Sequence, residues 1–190
     1  MKRNIVYIHG FRSDGHSEKA RLMQESFPDC HVVSPTLSPI PSEAIQQLED
    51  LLHSHLGDTL LVGTSLGGFY ALYLSCKFNL ACCAINPAWQ AHKSLARKIG
   101  LHTRYGTDEL YDFRESYLED LERMHHFIKD SVKDASLLNI FLSNDDEELS
   151  FDGLDQFIPE YRLMIRMDHS GHRFSRFPEI LVHLRDIINE

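Results

Sequence analysis

Six short runs of apolar, often β-branched residues recur along the chain without polar alternation: "NIVYIH" (4–9), "CHVVSP" (30–35), "TLLVGT" (59–64), "LACCAINP" (80–87), "SLLNIFLS" (136–143) and "YRLMIRM" (161–167). A strand with one wet face alternates apolar and polar residues, whereas a continuous run suits a strand covered on both sides. Helical patterns fall between the runs. Residues 16–27 carry Ala20, Leu22, Met23 and Phe27, and 42–56 place Ile45, Leu48, Leu51, Leu52 and Leu56 on one face. Residues 66–77 and 178–188 supply two more, the last with Ile180, Leu181, Leu184, Ile187 and Ile188. This alternation predicts an α/β fold with a parallel sheet of about six strands flanked by helices. The length of 190 residues suits one domain.

The rhythm breaks between Pro87 and Ser136. The stretch "ESYLEDLERMHHFIKDSV" (115–132) reads as a polar-rich helix, and no confident strand precedes it. Bare loops of that length are uncommon in compact domains, so a helical cap inserted over 88–135, above the carboxyl ends of the strands, is the expectation.

Charge narrows the function classes. A net charge of −9 argues against nucleic acid and anionic membrane as partners, since both need a basic face. The opening "MKRNIVYIHGF" is too short in its apolar part for a signal peptide, and Lys77 and Asn79 interrupt the longest apolar region. Cys30, Cys76, Cys82 and Cys83 form no C-x-x-C pair and read as reduced thiols, with Cys82 and Cys83 on opposite faces of a strand. A cytoplasmic location is expected.

The chemistry concentrates at "VGTSLGG", where Gly63, Ser65 and Gly67 meet the G-x-S-x-G pattern between a buried strand and an apolar helix. A serine on such a sharp turn sits in a strained backbone, and side chains two residues away would collide with strand and helix. The competing reading makes Ser65 a helix cap on a glycine-rich turn. A serine hydroxyl needs a base, and in this arrangement an acid and then a histidine follow it in the chain. The fifth run ends in "SNDDEELS" and the sixth in "MDHSGHRF", both at strand carboxyl ends. His172 follows the flexible Gly171 and is favoured over His169, which directly follows the strand. Spacing leaves Asp145, Asp146 and Glu147 open as the acid.

Two backbone donors must face the developing oxyanion. The N–H of Leu66 is one candidate and that of Phe11, in "HGFRSDG", the other; His9 reads as a buttress of that loop. "HSH" (53–55) and "HH" (125–126) lack the spacing of a helical zinc site. The glycines of "GTSLGG" come without a P-loop lysine. Trp89 suits either an acyl pocket or core packing.

Taken together, "YIHGFRSDGHSEKA", "VGTSLGGFYA", "INPAW", "LSNDDEEL" and "GHRF" resemble the small bacterial YqiA/YcfP-like esterases (UPF0227-type) of the α/β-hydrolase superfamily, over nearly the whole length. The resemblance implies an α/β-hydrolase fold and hydrolysis of short acyl esters. It implies Ser65 as nucleophile, Asp146 as acid and His172 as base, with Phe174 completing the family's H-x-F. An insertion-like Asn144-Asp145-Asp146-Glu147, where relatives read N-D-E or G-D-E, keeps Asp145 as an alternative acid.

The expected function is a serine esterase acting through a Ser65–His172–Asp146 triad and an acyl-enzyme, on a small-molecule ester, with no cofactor and no metal. A thioesterase on the same machinery and a non-catalytic binder that keeps the fold are the alternatives. Oligomeric state and natural substrate leave no readable pattern in the sequence.

Overall fold

The computed structural model describes residues 3–55, 58–131 and 135–189. Six parallel strands form the sheet: β1 (Asn4–Ile8), β2 (His31–Val33), β3 (Thr59–Thr64), β4 (Ala81–Ile85), β7 (Leu138–Ser143) and β8 (Leu163–Met167), in the order β2-β1-β3-β4-β7-β8. Register runs Asn4 to Thr59, Leu61 to Cys82, Ile140 to Met164. The sheet and its flanking helices form an α/β-hydrolase fold, and each apolar run of the sequence is a strand within it.

Alternate residues of each strand enter two cores. Ile5, Tyr7, Leu60, Val62, Cys83 and Ile85 face α1 (Glu18–Ser26) and α7 (Phe177–Asn189). Val6, Ile8, Leu61, Cys82 and Ala84 face α2 (Pro41–His55) and α3 (Leu66–Phe78). Cys82 and Cys83 thus lie in opposite cores, as their adjacency on a strand requires. Burial pushes both thiols up, Cys82 to about 12, which keeps them protonated and inert. The α2 stripe expected from the sequence holds Ile45, Leu48 and Leu52 buried; Leu56, expected on the same face, lies outside the described residues.

The segment expected to be a helical cap divides into two parts of different character. A short α4 (Ala91–Ser94) leads into an antiparallel hairpin of β5 (Gly100–Thr103) and β6 (Leu110–Phe113). The long α5 (Tyr117–Ser131) then packs against α4 and also against α2 and α3, as the crossover helix between β4 and β7. The reason is its stripe: Leu121, Met124 and Ile128 are spaced at three and four residues and are buried in the second core. A single turn of helix, α6 (Leu154–Phe157), adds Leu154 and Phe157 to that core. The hairpin escapes sequence reading because Leu101 and Leu110 are exposed and Phe113 is its one fully buried side chain, too little to give the strands a burial pattern. Its turn rests on Gly106, whose φ of 73° favours glycine.

The hairpin is tied down by a buried cation. The Arg104 guanidinium donates to the Glu109 carboxylate and to the carbonyls of Ser13 and Leu37. Arg12 Nε donates to the Thr103 carbonyl at 3.0 Å, and the Tyr105 N–H donates to the Arg12 carbonyl at 2.8 Å. The hairpin therefore grips the loop that follows β1.

If α5 belongs to the core, Ile128→Ala should lower the unfolding free energy by about 2–5 kcal/mol, measured by urea denaturation. A loss below about 1 kcal/mol would mark α5 as a peripheral addition.

Candidate active site

The turn from β3 into α3 is closed by steric exclusion. A Cβ on Gly63 would stand 2.1 Å from the Gly67 carbonyl oxygen, and one on Gly67 would stand 2.0 Å from that of Ile8. Strand and helix meet backbone to backbone, and Ser65 is left at φ 55°, ψ −118°, a region an L-residue occupies only under strain. Its N–H donates to the Ile85 carbonyl, while its own carbonyl accepts from Phe69 and Ala88. The hydroxyl makes no capping bond to α3. Instead Oγ lies 3.1 Å from Nε2 of His172. The helix-cap reading of Ser65 fails on this point.

The imidazole continues the chain. His172 Nδ1 lies 3.0 and 2.9 Å from the two carboxylate oxygens of Asp146, so Nδ1–H donates to the acid and Nε2 faces the serine as an acceptor. The carboxylate is 1% exposed, and one of its oxygens also accepts the N–H groups of Glu148 and Leu149 at 2.8 Å. These donors hold the acid in place and satisfy its oxygen away from water.

The neighbouring acidic residues divide the labour. Asp145 Oδ1 accepts from the Ser143 hydroxyl and from the N–H groups of Ser170 and Gly171. The Ser143 bond first, then the Ser170 N–H, hold its pKa down at about 2. Asp145 thus anchors the histidine loop, and Glu147 does so too by accepting the His172 N–H at 2.8 Å. Neither carboxylate meets the imidazole. His169 is exposed and points its ring to no partner in the relay.

Sequence reasoning missed Asn86. It is buried at the end of β4 and takes a left-handed φ of 40°. Its amide nitrogen donates to the carbonyls of Gly171 and His172, while its amide oxygen accepts the Ser143 N–H at 2.7 Å. One side chain therefore joins the acid loop to the histidine loop. The signal for it was the Asn-Pro that ends the fourth apolar run, a pair that carries part of the family resemblance but suggests no role by itself.

On the other side, His9 is buried and donates through Nδ1–H to the Gly10 carbonyl, while Nε2 accepts the Leu37 N–H at 3.0 Å. Burial lowers its pKa and keeps it neutral, which suits this donor–acceptor role. Gly10 brings the loop close enough that a Cβ there would lie 3.3 Å from that of Ser65. Phe11 follows, wedged edge-on against Phe113 and His102. Among the described residues no acceptor is found for the N–H groups of Phe11 and Leu66. Both residues line a cavity of about 700 Å³ with Ser65 and His172.

Trp89 does not line this cavity. It packs on Phe157 and His125 and donates from Nε1 to the Ser150 carbonyl. Among the described residues no group of three or more His, Cys, Asp or Glu side chains could hold a metal ion, and no helix is long and apolar enough to cross a membrane.

Comparison with known proteins agrees with this architecture. The family described as "Uncharacterised protein family (UPF0227)" matches residues 4–189. A UPF0227 protein of Pectobacterium atrosepticum is 26% identical over 189 residues, with 96% of each chain covered. Among solved structures, Est1E from Butyrivibrio proteoclasticus is similar with a TM-score of 0.74 at 12% identity, covering 98% of this chain and 87% of Est1E. The monoacylglycerol lipase of Paleococcus ferrophilus gives 0.70 at 12%, covering 97% and 93%. At such identities the likeness establishes the fold.

Two outcomes follow from the geometry. Ser65→Gly should raise the unfolding free energy by about 1 kcal/mol, because glycine adopts the elbow conformation without strain; a loss in urea denaturation would deny that strain. The stabilising effect of the Asp145 carboxylate should be full above its ordinary pKa near 4 and fade as pH falls toward about 2. The gap in thermal midpoint between wild type and Asp145→Asn should therefore close across that window, and a gap independent of pH would contradict the assignment.

Proposed function

The chain belongs to the UPF0227 family, and we propose that this member is a serine hydrolase of carboxylic esters with short acyl chains. The observation that carries the reading is the unbroken relay from Ser65 Oγ through His172 to the buried Asp146 carboxylate. A helix cap or a structural serine has no use for a buried carboxylate aimed through an imidazole at its hydroxyl. The names of the fold neighbours, an esterase domain from a Rhodothermus marinus protein and a monoacylglycerol lipase among them, support the same class.

The geometry supports an acyl-transfer mechanism. Ser65 Oγ attacks the ester carbonyl as His172 Nε2 takes its proton, and Asp146 holds the tautomer and stabilises the imidazolium. The carbonyl oxygen becomes an oxyanion, and the N–H groups of Phe11 and Leu66 are the donors for it. The imidazolium then protonates the departing alcohol. Water enters, loses a proton to the same nitrogen, and releases the acid from the acyl-enzyme. The apolar wall of Phe11, Leu66, Ala88, Leu95 and Leu149 suits a short acyl chain.

Ser65→Ala should keep its fold by circular dichroism and lose p-nitrophenyl butyrate turnover by about four orders of magnitude or more, to background. A fluorophosphonate probe should label wild type at Ser65 and leave the variant unlabelled. A folded wild type that resists the probe would favour a binding protein that retains the fold.

A further inference from the structure

Away from the cavity several cations pair with carboxylates: Arg3 with Asp58, Lys77 with Glu49, Arg104 with Glu109, Arg114 with Asp112, Arg176 with Glu179. The cations that line the cavity beside Ser65 differ in their partners. Lys98 pairs with Glu148, Arg97 donates to the Glu148 carbonyl, and Arg12 is engaged by the Thr103 carbonyl and the Tyr105 ring. Lys19 and Arg173 line the same cavity, and among the described residues neither has a carboxylate at ion-pair distance.

Their placement is specific. Lys19 stands at the start of α1 and donates from Nζ to the Arg173 carbonyl at 2.5 Å, with its ammonium 5.6 Å from the centre of the Phe177 ring. These contacts bend the side chain toward the histidine loop, where a free lysine would extend into water. Burial lowers its pKa, against the pull of Glu18, which lies exposed at the cavity rim. The other carboxylate on that side, Asp14, accepts the His16 N–H. Lys19 and Arg173 are like charges that repel each other, and Glu18 is the carboxylate beside Lys19 that opposes this without forming an ion pair.

The chemistry says which part of an ester meets them. His172 must hand its proton to the departing oxygen, so the alcohol leaves on the histidine side. Arg173 is the next residue, and Lys19 is bonded to it. We propose that Lys19 and Arg173 form an anion subsite for the leaving alcohol, so that the preferred substrates are esters of alcohols bearing a carboxylate or a phosphate. The proposal rests on the serine-hydrolase reading above. The acyl carbon–oxygen bond breaks, the Ser65 proton passes through His172 to the anionic alcohol, and one water completes the carboxylic acid.

The test compares kcat/KM for phenyl acetate, 4-carboxyphenyl acetate and 4-acetoxyphenyl phosphate, with phenyl hydrogen succinate carrying its charge on the acyl side. In Lys19→Met/Arg173→Gln the ratio of anionic-alcohol to neutral ester should fall ~10–100-fold, as expected for lost charge-assisted hydrogen bonds. In wild type the same ratio should fall with added salt. The larger of the two drops, carboxylate or phosphate, names the group recognised. An unchanged ratio overturns the subsite, as does a drop confined to phenyl hydrogen succinate. Should the double variant not fold, Arg173→Gln alone and the salt series in wild type separate the same outcomes. A wild type that neither hydrolyses phenyl acetate nor reacts with fluorophosphonate overturns the hydrolase reading and the subsite with it. Intact labelling with an unchanged ratio overturns the subsite alone.

Discussion

The whole site depends on a lack of space. Where β3 turns into α3, the backbone of Gly67 presses on the carbonyl of Ile8 in β1, and Gly63 presses on Gly67. No side chain fits between them, so strand and helix approach to a distance that only glycine permits, and the residue between is forced out of the ordinary regions of backbone space. Ser65 stands there because the turn lifts it clear of the helix, with its hydroxyl turned toward the loop after β8 and not back onto the helix end. The conformational cost is local; the packing of apolar strands on both faces of the sheet offsets it.

Around that point three loops converge from different strands, and each is held by side chains with no part in bond-making. His9 and Arg104 fix the loop after β1, Asp145 and Glu147 fix the loop after β8, and Asn86 joins the loops after β7 and β8. Such supports matter because proton transfer falls off sharply once the partners leave hydrogen-bond distance. Asp145, Asp146 and Glu147 illustrate the division: Asp146 faces the imidazole, and the two beside it hold the backbone that carries the imidazole.

The sheet was legible because burial on both faces leaves a one-dimensional trace: runs such as Leu60–Val62 and Ala81–Ile85 have no other use for so many adjacent apolar residues. The elbow was legible because its glycines are sterically obligatory. The hairpin of β5 and β6 was not, since Leu101 and Leu110 face solvent and the contacts that hold it are made by Arg12 and Arg104 to backbone carbonyls far away in the chain. Helix α5 was legible as a helix, but its polar residues outnumber its stripe and nothing local says that the stripe meets α2 and α3 as well as α4. Asp146 could be told from Asp145 by resemblance and not by spacing, as adjacent carboxylates differ only in where the fold directs them. Asn86 was hidden because its importance lies in bridging segments that the sequence keeps 57 and 86 positions away.

The loop that carries His172 rides on the margin of the sheet. β8 is the outermost strand, paired on one side only with β7, and its residues Leu163, Met164 and Ile165 are less deeply packed than those of the central strands. Margins of sheets open at lower free energy than centres do. A molecule warmed gently can therefore swing its imidazole away while β1, β3 and β4 stay intact and the hydroxyl keeps its posture. Heat would part the imidazole from the hydroxyl before melting the fold, and cooling would rejoin them without the chain ever having to refold.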